Sequence, residues 1–504
     1  MSAADLNVVL LAGTVVLLAG VAAVRISTRA GLPSLLLYLA LGLVIGEAGL
    51  GFAFENADLT NILGSLALAV ILAEGGFTTN WQVIRPVVAL SSVLATVGVA
   101  VSVSVTAGLT YLLLGVDVRT ALLLGAIVSS TDAAAVFSVL RQLPLVGRVR
   151  ATLEAESGFN DPPVIILVTL VTSSAWSESS AWSTAGLMGY QLAVGAGIGL
   201  LVARAGQWVL GHSALPAAGL YPLATMAIAM LAFAVAGVAG GSAFLAIYVA
   251  GMWLGNAPLP HRNATAGFAE GLGWLAQIGL FVLLGLLASP SRLGAALVPA
   301  MIVGGVLLLI ARPLSVMLCA TPFGVTWREQ VFMSWAGLRG AVPIVLATIP
   351  ITVGLPAAHR IFDVVFLLVV VFTLVQGPTL PFLARKLGVV EVGAAQDVSI
   401  ESAPLEEIDA TLLQFTVPDQ SRLAGVYLAE LRLPGDAAIT LILRMGEIFV
   451  PDQNTVLRTG DHLLLATSNV GRAATESRLR AVSRAGRLAA WYGEEGRSGA
   501  GVGG

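Results

Sequence analysis

Charge is scarce in this sequence. Only 11% of its 504 residues are Asp, Glu, Lys or Arg, where a soluble protein carries about 25%. With 57% hydrophobic residues and a mean hydropathy of +0.91, the chain reads as an integral membrane protein with many spans. A single cysteine, Cys319, excludes an internal disulfide. The histidines, His212, His261, His359 and His462, fall in connections or in the polar C-terminal part, and nothing resembles a metal-ligand set. The net charge of −3 argues against a nucleic-acid partner. No nucleophile–base pattern points to an enzyme, and no Gly-x-Gly-x-x-Gly turn follows a strand. The first apolar segment, LNVVLLAGTVVLLAGVAAV, has no basic flank or small-residue cleavage site. It reads as a first span, not a signal peptide.

What the chain does have is apolar blocks of membrane length. A hydrocarbon core of about 30 Å needs about 20 residues of helix. Blocks of that size start near Leu6, Leu32, Asn61, Pro86, Val118, Leu153, Thr184, Tyr221, Ser242, Glu270, Leu293, Arg328 and Arg360. That makes about thirteen spans, an all-α polytopic membrane protein. Glycine is abundant, with 56 residues, as expected where helices approach closely. Alternate connections hold Arg25 and Arg29, Arg85, Arg141 with Arg148 and Arg150, Arg204, Arg262 and Arg328, and Arg385 and Lys386 follow the last span. The others hold Arg119, Arg292 and Arg360 with Glu55, Asp58, Asp117 and Glu178. The bias puts the N-terminus outside and the C-terminus inside a cell (inner) membrane.

After Lys386 the composition changes. The membrane part covers residues 1–388, a polar acidic linker residues 389–408, a small α+β domain residues 409–485, and a flexible tail residues 486–504. Strands are expected at TLLQFTV, AAITLILRMG, EIFV and HLLLATS. SRLAGVYLAELRL has helical spacing.

Six ionisable groups fall inside spans: Glu74, Asp132, Glu156, Asp161, Arg312 and Arg339. Each costs about 2.5–3.5 kcal/mol at mid-bilayer on insertion scales, so each needs a reason. Asp161, in ESGFNDPPVIILV, sits about 12 Å into its block. Ser157 is four residues earlier on the same helix face, and Asn160 lies about 100° round. Carboxylate and hydroxyl on one face make a hard-oxygen half-site for an alkali cation. In SSTDAAAVF, consecutive Ser, Thr and Asp compete for backbone bonds and favour an opened helix. Thr131 would offer oxygen. Asp132 would bind the cation or offset the positive end of an opposite half-helix. Glu74 lies either deep in the third span or at its cytoplasmic mouth. Arg312 would pair with Glu156 in a buried salt bridge, a structural or pH-modulating role. Arg339, in GLRGAVPIV, would fix a crossing of broken helices.

STDAAAVFSVL, ESGFNDP, ARP and GLRGAVPIVLA together resemble the cation–proton antiporter superfamily, in its NhaP-type branch with an Asn-Asp pair, over residues 6–386. The soluble part, from LAELRLPGD to HLLLATS, is similar to an RCK C-terminal (TrkA-C) domain. The resemblance implies two inverted repeats with crossed broken helices and a homodimer. It implies Asp161 as the essential carboxylate and Thr131 with Asp132 as the unwound pair. It further implies Ser157 as an ion ligand, Glu74 as a cation-binding acid, Glu156–Arg312 as a buried salt bridge, and Asn160 as the mark of electroneutral exchange. Pro163 departs from the motif and would alter the local helix.

The physics of such a site is exchange by competition. Burial penalises a bare carboxylate, so Asp161 would hold a proton or a metal cation, one at a time. If only the neutralised site moves between faces, K⁺ and/or Na⁺ is traded against H⁺ one for one, in a role in pH homeostasis. No cofactor is expected to be tightly bound; the transported ions are cargo. The TrkA-C-like domain implies control by a small cytoplasmic ligand, a nucleotide such as cyclic di-AMP. Membrane lipid is the other expected partner. The competing readings are an RCK-gated potassium channel, which lacks a TVGYG-type filter, and a proton-coupled organic solute carrier, which would want more aromatic and amide residues in its spans.

Overall fold

The computed structural model describes all residues except 1–2, 31–32, 48, 50, 52–55, 133–144, 175, 177–179, 214, 391–399, 406–409, 419–420, 469–470, 487–488 and 490–504. It divides into two units, residues 1–389 and 390–504.

The first unit is helical. Its helices are α1 (Ala3–Ala30), α2 (Ser34–Ile45), α3 (Ala57–Thr78), α4 (Trp81–Leu114), α5 (Val118–Ser129), α6 (Gly147–Thr172) and α7 (Ala181–His212). They continue as α8 (Leu220–Val238), α9 (Ala243–Asn256), α10 (Arg262–Leu287), α11 (Pro290–Phe323), α12 (Trp327–Ala336), α13 (Ala341–Thr352) and α14 (Ala358–Leu387). A helix, or the bent pair α12–α13, starts close to every apolar block of the sequence. Among the described residues, seven helices are long and apolar enough to cross a membrane, and eight if the pair bent by 49° is one span.

Local chemistry sets the boundaries. Asn56 Oδ1 accepts the Leu59 N–H at the start of α3, and Asp117 accepts the Thr120 N–H at the start of α5. Thr326 and Glu329 form a reciprocal capping box on α12. Gly115 and Gly388 end α4 and α14 in the left-handed region, at φ 62° and 67°.

One order of helix types occurs twice. Three helices (α1–α3, α8–α10) precede a long helix with a π-helical turn, at Leu94–Gly98 in α4 and Leu307–Ala311 in α11. Next come an interrupted helix (α5; α12–α13) and one with internal prolines, Pro162 and Pro163 in α6, Pro378 and Pro381 in α14. The helices sort into two groups. In one, α2 packs on α10 and α9 on α3 and α7; in the other, α4 packs on α5 and α6, and α11 on α14. The two meet where α6 touches α7 and α9, and α13 touches α3.

The second unit is a five-stranded antiparallel sheet in the order β1-β2-β5-β3-β4. Its strands are β1 (Ile400–Leu405), β2 (Ala410–Thr416), β3 (Ala438–Arg444), β4 (Glu447–Phe449) and β5 (His462–Ser468). Leu413, Phe415, Leu463 and Leu465 pack with Leu479 and Val482 of the helix Arg472–Ala485 in its core. Three features differ from the sequence reading. The stretch read as linker contributes edge strand β1, because Ile400–Leu405 pairs with Ala410–Phe415 of β2. The helical spacing of residues 421–433 yields only Leu428–Leu431; Gly425 at φ 87° and Arg432 at φ 47° turn the chain on either side. The helix Arg472–Ala485 was not expected. Most of the tail, residues 391–399 and 406–409 of the linker, Glu55, Arg141 and Glu178 lie outside the described residues.

Candidate functional site

The site is built where two helices stop in the middle of the first unit. α5 ends at Ser129, and Ser130 turns to an extended conformation, φ −65° and ψ 137°. The continuation expected after Asp132 in SSTDAAAVF lies outside the described residues. Opposite it, Gly337–Gly340 interrupt α12 and α13. The two breaks bond directly, the Asp132 N–H donating to Leu338 O at 3.0 Å.

Helix ends left open in a membrane need partners, because no water is there to supply them. Asp132 Oδ2 accepts the N–H of Ala341, 2.9 Å away, at the positive start of α13. Arg339 serves the negative ends. Its Nε donates to Val128 O in the last turn of α5 and its Nη1 to Gly337 O after α12, both at 2.7 Å. Thr373 of α14 donates to Arg339 O at 3.0 Å. A side chain at Gly340 would overlap the Asp132 carboxylate where it accepts the Ala341 N–H, so glycine there leaves room for that bond.

α6 brings the oxygen cluster. Asp161 is 4% exposed, and its Oδ1 accepts the Ser130 hydroxyl at 2.5 Å. Asn160 Nδ2 donates to Thr131 Oγ1, which lies 3.2 Å from Ser157 Oγ. Asn160 Oδ1 is buried with no hydrogen-bond partner among the described residues. Pro162 and Pro163 lack N–H groups, which removes the helical donors for the carbonyls of Gly158 and Phe159. Even so α6 runs unbroken through both prolines.

One turn earlier, Glu156 meets Arg312 of α11 in a two-pronged pair, Nη1–Oε1 2.5 Å and Nη2–Oε2 2.8 Å. Both side chains are buried. Glu74 is half-buried on α3, against Gly273 of α10. The structure thus brings Thr131, Ser157, Asn160 and Asp161 together, with Asp132 and Arg339 at the adjoining helix ends and Glu156–Arg312 just below. The described contacts put Glu74 on a separate helix pair.

Composition hid several residues of this region. Ser130 lies in the quoted motif, but a serine in a span raises no alarm. Arg119, read as a loop charge, donates to Val171, Thr172 and Ser173 carbonyls at 2.8, 2.8 and 3.0 Å and so caps the C-terminal end of α6. Tyr248 of α9 presses on Gly158 and meets Phe159 edge-on at 5.9 Å. Asp363 of α14 is buried and accepts from Arg292 at 3.1 Å. Its signal was a carboxylate early in an apolar run, easily read as a loop residue.

Among the described residues no three His, Cys, Asp or Glu side chains group as a metal site. The oxygens around Asp161 instead suit one desolvated alkali cation or one proton. The buried ionisable groups here are four carboxylates, Asp132, Glu156, Asp161 and Asp363, and two guanidiniums, Arg312 and Arg339; they are counted as ionised, with the part-exposed Arg292 offsetting Asp363. Their sum is one negative charge.

Comparison with known proteins gives an independent view. Residues 13–386 match the family described as "Sodium/hydrogen exchanger, transmembrane", and residues 412–480 the "TrkA-C domain". The chain is similar to the "K(+)/H(+) antiporter NhaP" of Alkalimonas amylolytica, 38% identical over 467 residues, covering 91% of this chain and 81% of that one. It is 36% identical to the "K(+)/H(+) antiporter NhaP2" of Shewanella oneidensis over 472 residues, covering 92% and 82%. Among solved structures, the sodium proton antiporter MjNhaP1 of Methanocaldococcus jannaschii superposes with a TM-score of 0.67 at 24% identity. That match covers 76% of this chain and 99% of that one, and it bears on the fold.

Proposed function

We infer what the chain does from one premise: it belongs to the sodium/hydrogen exchanger family. It is a multi-pass cation:proton antiporter with a C-terminal TrkA-C domain. Its mechanism, on our reading, is secondary active exchange by alternating access, with K⁺ or Na⁺ and H⁺ taking turns at Asp161. Ser157, Thr131 and Asn160 supply the neighbouring oxygens, Asp132 binds or balances, and Glu74 helps bind the cation. Glu156–Arg312 and Arg339 hold the frame.

The observation that carries this reading is the buried charge. A sum of one negative charge is neutralised by one monovalent cation or by one proton, and by neither together. A bare carboxylate in the bilayer carries the full desolvation penalty, so the empty site resists moving between faces. Loaded states are alike in charge, which makes exchange one for one and electroneutral. Curated relatives named as K⁺/H⁺ antiporters support K⁺ as cargo.

We place the protein in the cell inner membrane as a homodimer, N-terminus outside, with exchange tuned by a nucleotide-sized ligand on the TrkA-C domain. The domain limits follow the sequence, 1–388 for the membrane part, 409–485 for the TrkA-C unit and 486–504 for the tail, except that residues 400–405 of the 389–408 stretch join the TrkA-C unit as edge strand β1. The test is proton movement in everted vesicles on addition of KCl, NaCl or LiCl. Wild type should release internal protons with K⁺ or Na⁺, and Asp161→Asn should not. Cation flux without proton movement would instead identify a channel.

A further inference from the structure

The Asp161 carboxylate has one described donor, and it is the serine that no motif singled out. Four hydroxyls line the stop of α5 and the facing turn of α6, and they divide the work. Ser129 Oγ is turned back to Gly125 O at 2.6 Å, the local bond of a serine in a last helical turn. Thr131 is engaged by Asn160 and Ser157. Only Ser130 reaches Asp161, at 2.5 Å. Ser130 is fully buried, at 0% exposure. It is also the first residue released from α5, so its extended backbone aims the hydroxyl across to α6.

We propose that Ser130 is a positioning residue for exchange: its hydroxyl, bonded to Asp161, tilts the competition at that carboxylate toward the cation and against the proton. The inference rests on Asp161 being the shared site. A hydroxyl bonds an ionised carboxylate about twice as strongly as a neutral one. With a cation bound, Asp161 keeps its charge and the Ser130 bond keeps most of its strength. With a proton bound, Asp161 is neutral and the bond weakens. The hydroxyl therefore stabilises the bare and cation-loaded forms over the protonated form.

The other ionisable groups acting on Asp161 are Asp132 at the break and Tyr248 on α9. Substitution at Ser130 changes neither. Of the remaining charges packed about α6, Arg312 is held by Glu156, Arg339 by two carbonyls and Arg119 by the helix end. Glu154 shares α6 with Arg150, and Glu74 lies against α10.

The test compares wild type, Ser130→Ala, Ser130→Thr, Ser130→Cys and Asp161→Asn, all full-length, in everted vesicles with K⁺ and Na⁺. KM for the cation and the rate–pH profile are measured together. Loss of the hydroxyl should raise cation KM at neutral pH by up to about tenfold and move the acid limb of the profile up by about one pH unit. The change should appear in KM more than in maximal rate. Ser130→Thr, which keeps the hydroxyl, should restore wild-type values, and Ser130→Cys, a weak donor, should fall between. If Ser130→Ala does not fold, the Cys and Thr pair makes the same comparison.

Wild-type KM and profile in Ser130→Ala, or a lower rate at every pH with KM unmoved, would overturn the proposal and leave antiport intact. Exchange surviving in Asp161→Asn would instead overturn the site on which it rests.

Discussion

The two helix groups of the membrane unit are held together by different chemistry. In α1–α3 and α7–α10 no charged side chain is buried among the described residues. These helices touch backbone to backbone. A methyl on Gly285 of α10 would lie 2.9 Å from Gly42 Cα of α2, and one on Gly251 of α9 would lie 2.8 Å from Ala73 O of α3. In α4–α6 and α11–α14 the buried polar groups do the joining. They include the Glu156–Arg312 pair, the Arg339 bonds to Val128 and Gly337, the Asp132 bond to Ala341 and the Ser315 bond to Gly98 O at 2.8 Å. Lipid gives no hydrophobic drive between helices, so packing requires either close fit or polar bonds. The first group relies mainly on fit, with a few neutral polar bonds such as Trp253 Nε1 to Gln207 Oε1 at 2.8 Å and one half-buried acid, Glu74. The second uses charge, and on the proposed reading its balance is completed by the cargo.

Breaking that contrast should hurt most at Asp161. Asp161→Asn removes the exchange charge, and cation-dependent proton flux should vanish while the purified protein stays folded, read by flux assay and thermal unfolding side by side. Next comes Arg312→Ala, which leaves Glu156 buried without its partner. It should cost about 3–5 kcal/mol, seen as a clear fall in unfolding temperature in detergent. Gly285→Val attacks the other group. Overpacking there should cost about 1–3 kcal/mol and lower the unfolding temperature, with cation KM unchanged. A shifted KM would mean the two groups are not chemically separate.

The smallest effect lies outside the membrane. Asp461, just before β5, is buried, which by itself would raise its proton affinity. Two bonds from Arg444 at 2.8 Å and one from the Arg458 N–H at 2.8 Å win and hold the carboxyl below its usual range. A carboxyl lowered by folding stabilises the fold above its unfolded value of about 3.9 and loses that contribution as pH falls through the folded value. Exchange protection of the strands within residues 410–468, taken relative to the intrinsic rate at each pH, should therefore fall below about pH 4 in wild type, and Asp461→Asn should flatten that dependence.

Much of this was readable from residue types because lipid makes charge expensive. Asp161, Asp132, Glu156, Arg312 and Arg339 stood out as charges inside apolar runs, and they gather at or beside the two breaks. The helix blocks were legible for the same reason. What stayed hidden was cheap in lipid. Ser130 is a small hydroxyl among several, and only the end of α5 distinguishes it from Ser129. Gly42 and Gly285 are two of 56 glycines, and their contact exists only in three dimensions. In the soluble unit, helical spacing at residues 421–433 misled because turns at Gly425 and Arg432 cut it short. The edge strand Ile400–Leu405 looked like linker because its pairing with β2 compensates for a polar, proline-containing sequence.

The claim beneath all of this is that the buried groups sum to one negative charge, cancelled by one cation or one proton. The most direct measurement is the K⁺:H⁺ flux ratio of the purified protein in liposomes held at different membrane potentials. The account predicts one proton per cation and a rate that does not change with potential. A ratio other than one, or a rate that follows the potential, would contradict it.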